Sequence, residues 1–145
     1  MNVEQIARNF ILNMVDLEKT KKSITSDAIA DGGILPQAIP AIEALTIISG
    51  LTAAIPDLKF DIQQITVNGN QATVIALWGG KQTGPLSLPI PGMMTIPPTG
   101  KNVWVKDGYV ITVQGDKVSY MHVESPADGG IPAMLEQLGV KVPVM

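Results

Sequence analysis

Apolar residues recur at helical spacing near the start of the chain: Ile6, Phe10, Ile11, Met14 and Val15. They predict an amphipathic helix over 3–15. Asn2 followed three residues later by Gln5 has the form of a capping box that would open it. Asp16 is placed to cap a short second helix running to Ser23, with Lys19, Lys21 and Lys22 on its wet side. Gly32, Gly33 and Pro36 mark a loop. A third helix is predicted from Ala41 to Ala54, started after Pro40 and stopped before Pro56.

The pattern then changes to strands. Leu58 to Val67 alternates, but the alternation breaks at Gln63-Gln64: Phe60 and Ile62 share one parity, Ile65 and Val67 the other. A β-bulge at that point would restore the facing and bend the strand. Asn68-Gly69 suits a tight hairpin. The next strand, Ala72 to Lys81, is apolar on both faces, with Val74, Ala76 and Trp78 on one and Ile75 and Leu77 on the other. A strand of this kind needs a cover on each side. Helices supply one cover, and a second subunit is the expected source of the other.

Residues 82–98 read as a long loop carrying Leu86, Leu88, Ile90, Met93, Met94 and Ile96 between glycines and prolines. Loops of this length in a compact domain are usually functional. Its apolar content fits either a flap over a pocket or a segment packed on a dimer partner. Lys101–Val113 and Lys117–Ser125 predict a hairpin turning at Gln114-Gly115-Asp116, and Pro132 to Leu138 a last short helix ended by Gly139. The tail from Val140 to Met145 is expected to be loosely held or to pack on a partner.

Three short motifs occur in order along this pattern. Ala53-Ala54-Ile55-Pro56-Asp57-Leu58 ends the third helix, Pro97-Pro98-Thr99-Gly100-Lys101 leads into the long strand, and Leu135-Glu136-Gln137-Leu138-Gly139 closes the chain's last helix. Together they resemble the SnoaL-like polyketide cyclase family of the nuclear transport factor 2-like superfamily, over roughly residues 3–139. The resemblance implies one α+β domain spanning 1–145, a cone-shaped α+β barrel in which a strongly bent, mostly antiparallel sheet wraps around N-terminal helices. It also implies an internal pocket for a small organic molecule. Members similar to polyketide cyclases use a carboxylate in the last strand and a histidine on its neighbour to close a ring by an intramolecular aldol step. Carried over by spacing, the histidine position falls on Tyr109 and the carboxylate position on Val123. Limonene-epoxide-hydrolase-like members need an Asp-Arg-Asp arrangement, and the one arginine here is Arg8 on the first helix. Ketosteroid-isomerase-like members use a tyrosine on an early helix, whereas Tyr109 and Tyr120 both lie on late strands.

The candidate chemistry therefore shifts to other residues. Asp107 shares parity with Tyr109 and is the best remaining pocket carboxylate; the alternative is a solvated residue near the strand's start. If Val123 faces the pocket, Ser119 and Met121 do too, and His122 and Glu124 face away. A slip of one residue or a bulge would bring His122 and Glu124 inward, as a base and its orienter; otherwise they are a polar pair on the outer face. Trp78, Met93, Met94, Met121 and Val123 are the candidate ligand-binding residues, with core filling as the alternative for the tryptophan and methionines. Asp27 and Asp31 flank Ala28-Ile29-Ala30, where the resembled fold brings the chain across the pocket mouth; the favoured reading is that they are loop caps only.

Composition narrows the functional class. With 46% hydrophobic residues in 145, the chain can bury a core. Its ten Lys and Arg are scattered and its net charge is −3, which argues against nucleic acid as a partner. No cysteine and one histidine leave no metal-ligand set, and no cofactor is implied. No apolar run approaches the ~18 residues of a membrane span. Residues 1–5 carry neither a basic nor an apolar leader segment, so a cytoplasmic location is the default expectation. The expectation is a homodimeric small-molecule pocket protein that binds a hydrophobic metabolite, with the resembled family's acid/base missing at Val123. The alternative is a cyclase or isomerase acting on a hydrophobic carbonyl substrate, with Asp107 or His122/Glu124 as base and Tyr109 as electrophilic donor.

Overall fold

The computed structural model describes residues 2–140; the predicted tail at 141–145 lies outside them. The chain folds as α1 (Val3–Leu12), α2 (Leu17–Lys21), β1 (Ile24–Gly32), β2 (Ile39–Pro40), α3 (Ala41–Ala54), β3 (Lys59–Asn68), β4 (Gln71–Lys81), β5 (Asn102–Gln114), β6 (Lys117–Val123) and α4 (Gly130–Gln137). The six strands form one sheet in the order β2-β1-β6-β5-β4-β3. It curls without closing, since β2 and β3 stand at opposite ends. All pairs are antiparallel except β1 with β6.

The helix starts follow their caps. Asn2 accepts from Gln5 N at 2.8 Å while the Gln5 side chain reaches back to Asn2 N, a complete capping box. Asp16 caps α2 by accepting from Lys19 N. α1 ends at Leu12, before the predicted Val15, and Met14 reaches the core from the turn that follows.

The expected bulge in β3 is present: Ile62 pairs with Ala76 and Gln64 with Ile75, leaving Gln63 unopposed. Ile65 and Val67 thereby return to the side of Val74 and Ala72. Asn68 pairs with Gln71 across a two-residue turn whose Gly69 has φ of 63°, a left-handed conformation that glycine adopts without a Cβ clash. A second bulge lies in β6, where Val118 pairs with Val113 but Tyr120 with Thr112. The skipped residue is Ser119, which corrects its expected pocket facing: Val118, not Ser119, joins Met121 in the core.

One concave face buries the apolar row of each strand against helices. On β5 that row is Val103, Val105, Asp107, Tyr109, Ile111 and Val113, every one of them buried. Helix α1 lies across β3 and β4 through Ile6, Phe10 and Ile11; α3 covers β1; α4 covers β5 through Met134 and Leu135. Burying each such aliphatic or aromatic side chain contributes about 1.5–3 kcal/mol.

Strand β1 was not anticipated. Asp31 is part of it and not a loop cap: it pairs in register with His122. The long loop also differs from a flap. Its Leu86 and Ile96 bridge to each other, and Leu86, Leu88, Ile90 and Ile96 are buried. Thr83 N and Gly84 N both donate to Ala54 O at 3.0 Å, satisfying a carbonyl that the end of α3 leaves without a helical partner. Buried Gln82 ties the loop's two ends together. Its amide donates to Gly84 O (2.8 Å) and Pro97 O (3.2 Å), and its carbonyl accepts from Thr99 N (2.9 Å) and Thr99 Oγ1 (2.6 Å). The apolar residues of this loop extend the core at the far end of α3.

Candidate active site

Between the curled sheet, α3 and the start of α4 lies a cavity of about 160 Å3. Its walls are Phe60 and Trp78 from β3 and β4, Asp107 and Tyr109 from β5, Met121 and Val123 from β6, and Ala44, Ile48 and Leu51 from α3. Gly32 to Leu35 and Ile131-Pro132 form its rim. Phe60 and Trp78 set two ring faces side by side, centroids 6.3 Å apart. A cavity this apolar holds an uncharged ring without help from hydrogen bonds.

One charged side chain is set into that wall. Asp107 is only 5% exposed. Strand alternation turns it inward, two residues before Tyr109 on the same row. Three donors meet its carboxylate: Ser125 Oγ at 2.6 Å and Gly108 N at 3.1 Å to Oδ1, and Trp78 Nε1 at 3.2 Å to Oδ2. Burial dominates over these donors and pushes the Asp107 carboxyl above its usual range. Tyr109 is nearly fully buried, and burial together with the Asp107 charge raises its phenol well above 10, so it remains a neutral donor. Its hydroxyl has no hydrogen-bond partner among the described residues.

The other candidates separate cleanly. Val123 pairs with Tyr109 and lines the cavity, so the position to which the resemblance assigns a carboxylate holds an isopropyl group. Trp78 and Met121 line the cavity. Met93 and Met94 do not: both ride on the loop beyond α3, Met93 against the core and Met94 84% exposed. Those two assignments are corrected, because the loop packs beyond the far end of α3 and none of its residues lines the cavity. His122 and Glu124 point away from it as well. Glu124 is exposed, while His122 Nδ1 lies 2.6 Å from Asp31 Oδ1, and Tyr120 donates to both Asp31 oxygens at 2.7 Å. The hydrogen bonds from Tyr120 and then His122 hold the Asp31 carboxyl below its usual range. This cluster sits on the convex face of the sheet. Among the described residues, no three His, Asp or Glu side chains come together as a metal-binding group, and no helix is long and apolar enough to cross a membrane.

Ser125 escaped the sequence reading. It lies past the end of β6, yet Glu124 N still donates to Gly108 O at 2.8 Å, which carries the strand pairing far enough to bring Ser125 onto Asp107. The available signal was its parity with Met121 and Val123.

A curled open sheet folded over helices around one cavity is the nuclear transport factor 2-like α+β cone. Solved structures bear this out over almost the whole chain. A protein from Jannaschia sp. CCS1, provisionally described as a SnoaL-like polyketide cyclase, is 21% identical with a TM-score of 0.71, over 98% of this chain and 97% of its own. IdmH from Streptomyces antibioticus, provisionally described as a polyketide cyclase, is 18% identical with a TM-score of 0.75, over 97% and 100%. A Catenulispora acidiphila protein with a ketosteroid isomerase-like fold is 12% identical with a TM-score of 0.70, over 97% and 96%. At these identities the likeness establishes the fold. No protein-family model and no curated protein sequence matches the chain.

Proposed function

We propose that this protein is an acid/base enzyme of the isomerase or cyclase kind, acting on a small hydrophobic carbonyl compound held in the cavity. Asp107 is the base and Tyr109 the donor to the carbonyl oxygen. The observation that carries the reading is a carboxylate of raised basicity set in an apolar wall, on the same row as a phenol that has no hydrogen-bond partner among the described residues. Trp78, Met121 and Val123 hold the substrate's apolar body.

The step needs only these two groups. Asp107 takes a proton from the carbon next to the carbonyl. The C–H electron pair becomes a new C=C bond, the carbonyl π pair moves onto oxygen, and Tyr109 donates a hydrogen bond to that oxygen. The enolate then either regains the proton from Asp107 at its far carbon, completing an isomerisation, or attacks a second carbonyl, whose new alkoxide takes the proton. A carboxylate whose basicity burial has raised is better matched to this task near neutral pH than an ordinary one. The simpler reading, in which the cavity only stores a hydrophobic metabolite, rested on Val123; Asp107 is the reason to prefer chemistry.

The test is a one-ring substrate. 3-Cyclohexen-1-one becomes its conjugated isomer by this proton shift, and the change is followed by ultraviolet absorbance. Wild-type protein should accelerate it and Asp107→Asn should not. Equal rates with the two proteins would remove Asp107 from the mechanism.

The same proposal includes a homodimer through the convex face of the sheet. Ile75 and Leu77 of β4 point to that side, and Ile29 and Trp104 are 44% and 40% exposed on it. Gel filtration should give about twice the 15.4 kDa chain mass; a mass near one chain would contradict it.

A further inference from the structure

We propose that Ser125 is the positioning residue of this site: its hydroxyl fixes Oδ1 of Asp107 and leaves Oδ2 as the oxygen that exchanges a proton with the ligand. The inference rests on the acid/base reading above for its catalytic meaning, but not for its geometry.

The two carboxylate oxygens are not equivalent. Oδ1 accepts from Ser125 Oγ at 2.6 Å and from Gly108 N at 3.1 Å, whereas Oδ2 accepts only from Trp78 Nε1, at 3.2 Å. A carboxylate oxygen accepts about two hydrogen bonds. Oδ1 is therefore full, and the open lone pair is on Oδ2. A proton taken from a ligand goes there without displacing a donor. Returning it breaks nothing either, so the carboxylate can cycle while Ser125 stays in place.

Ser125 is held for this role from two sides. The Glu124–Gly108 backbone bond fixes the preceding residue to β5. On the other side stands Gly130, with φ of 68°, at the start of α4; a Cβ there would come within 2.5 Å of Ser125 Oγ and 2.8 Å of its Cβ. Only glycine combines that backbone conformation with that approach. The next two residues, Ile131 and Pro132, line the cavity. The segment that lines the cavity therefore also packs closely against Ser125. Gln137, later in α4, anchors the helix to the exposed edge of β5 through Trp104 N (2.8 Å) and Trp104 O (3.0 Å).

Without the serine hydroxyl the carboxylate loses its shortest hydrogen bond and is free to turn. The anion is then less stabilised and binds a proton more tightly. A hydrogen bond to a charged group is worth about a factor of ten in such an equilibrium.

The experiment is a carbon-13 titration of aspartate carboxyls by NMR in wild type and Ser125→Ala, with the Asp107 signal assigned from its disappearance in Asp107→Asn. Asp107 in Ser125→Ala should bind its proton about tenfold more tightly. The acid limb of the cyclohexenone pH–rate profile should move upward with it. Asp31, on the other face of the sheet, should titrate as in wild type. An Asp107 midpoint that stays put or falls, or a joint shift of Asp31, would overturn the proposal. The titration needs no turnover. A wild type that fails to isomerise the probe would sink the enzymatic reading while leaving the role of Ser125 to be judged by the NMR shift alone.

Discussion

Replacing Asp107 with asparagine should change stability in a way that depends on pH. The native carboxyl titrates above its ordinary value, chiefly because it is buried, while in the unfolded chain it titrates near 3.9. Between those two values the native state binds the proton and the unfolded state does not. Stability from this group is therefore complete below the unfolded value and is lost as pH rises through the native one. The slope for one group reaches at most about 1.4 kcal/mol per pH unit. Asparagine does not titrate, so the wild-type loss has no counterpart in the variant. The substitution carries a constant cost too: if the amide oxygen keeps the bonds from Ser125 and Gly108, its NH2 meets the N–H of Trp78, two donors face to face. That conflict costs about 1–3 kcal/mol, and it does not vary with pH. Urea unfolding of both proteins, followed by tryptophan fluorescence from about pH 4 to about pH 8, separates the two effects. Other titrating groups are shared and cancel. Asp107→Asn should gain on wild type as pH rises, then level off. A difference that is flat from the acid end, or that moves the other way, would mean the carboxyl is not held in a desolvated wall.

Tyr109→Phe should lower cyclohexenone isomerisation by about 100-fold, the usual effect of removing one donor to a developing oxyanion. Its stability by urea unfolding should change by under about 0.5 kcal/mol, because the lost hydroxyl has no hydrogen-bond partner among the described residues. Gln82→Leu should cost about 1–3 kcal/mol in the same unfolding assay, since it removes the hydrogen bonds by which buried Gln82 ties Gly84 O, Pro97 O and Thr99 N together at a half-buried loop junction. Asp31→Ala should lower the urea midpoint at neutral pH. Because Tyr120 and His122 depress the Asp31 carboxyl, its contribution is present above the unfolded value and is lost as pH falls through the native one, so the gap from wild type should close on acidification.

The parts of the fold legible in the sequence were those with large side chains in a clean period. The β3 bulge followed from the parity of Phe60, Ile62, Ile65 and Val67, and α1 from the run Ile6 to Met14. Strand β1 was hidden because its buried inward residues, Ala28 and Ala30, are small, while Ile29 between them faces out. Its pairing with β6 is parallel and joins residues some ninety positions apart, which no local pattern encodes. The site divided in the same way. Asp107 was visible as the one carboxylate in an apolar row. The direction of His122 depended on register, and the bulge at Ser119 lies on the hairpin side of Met121, so Val123 still faces inward. The loop at 82–98 misled because an apolar loop suits a lid and a core extension equally; its bonds to Ala54 and the burial of Leu86, Leu88, Ile90 and Ile96 separate them.

The Asp107 carboxylate is proposed as the working base inside the cavity. The most direct measurement is the pH dependence of kcat/KM for 3-cyclohexen-1-one set against the NMR titration of the Asp107 carboxyl in the same wild-type protein. The account predicts that activity rises with pH through one ionisation whose midpoint coincides with that of Asp107, above the ordinary carboxylate range. Activity that ignores that midpoint, or an Asp107 that titrates like an exposed aspartate, would contradict it.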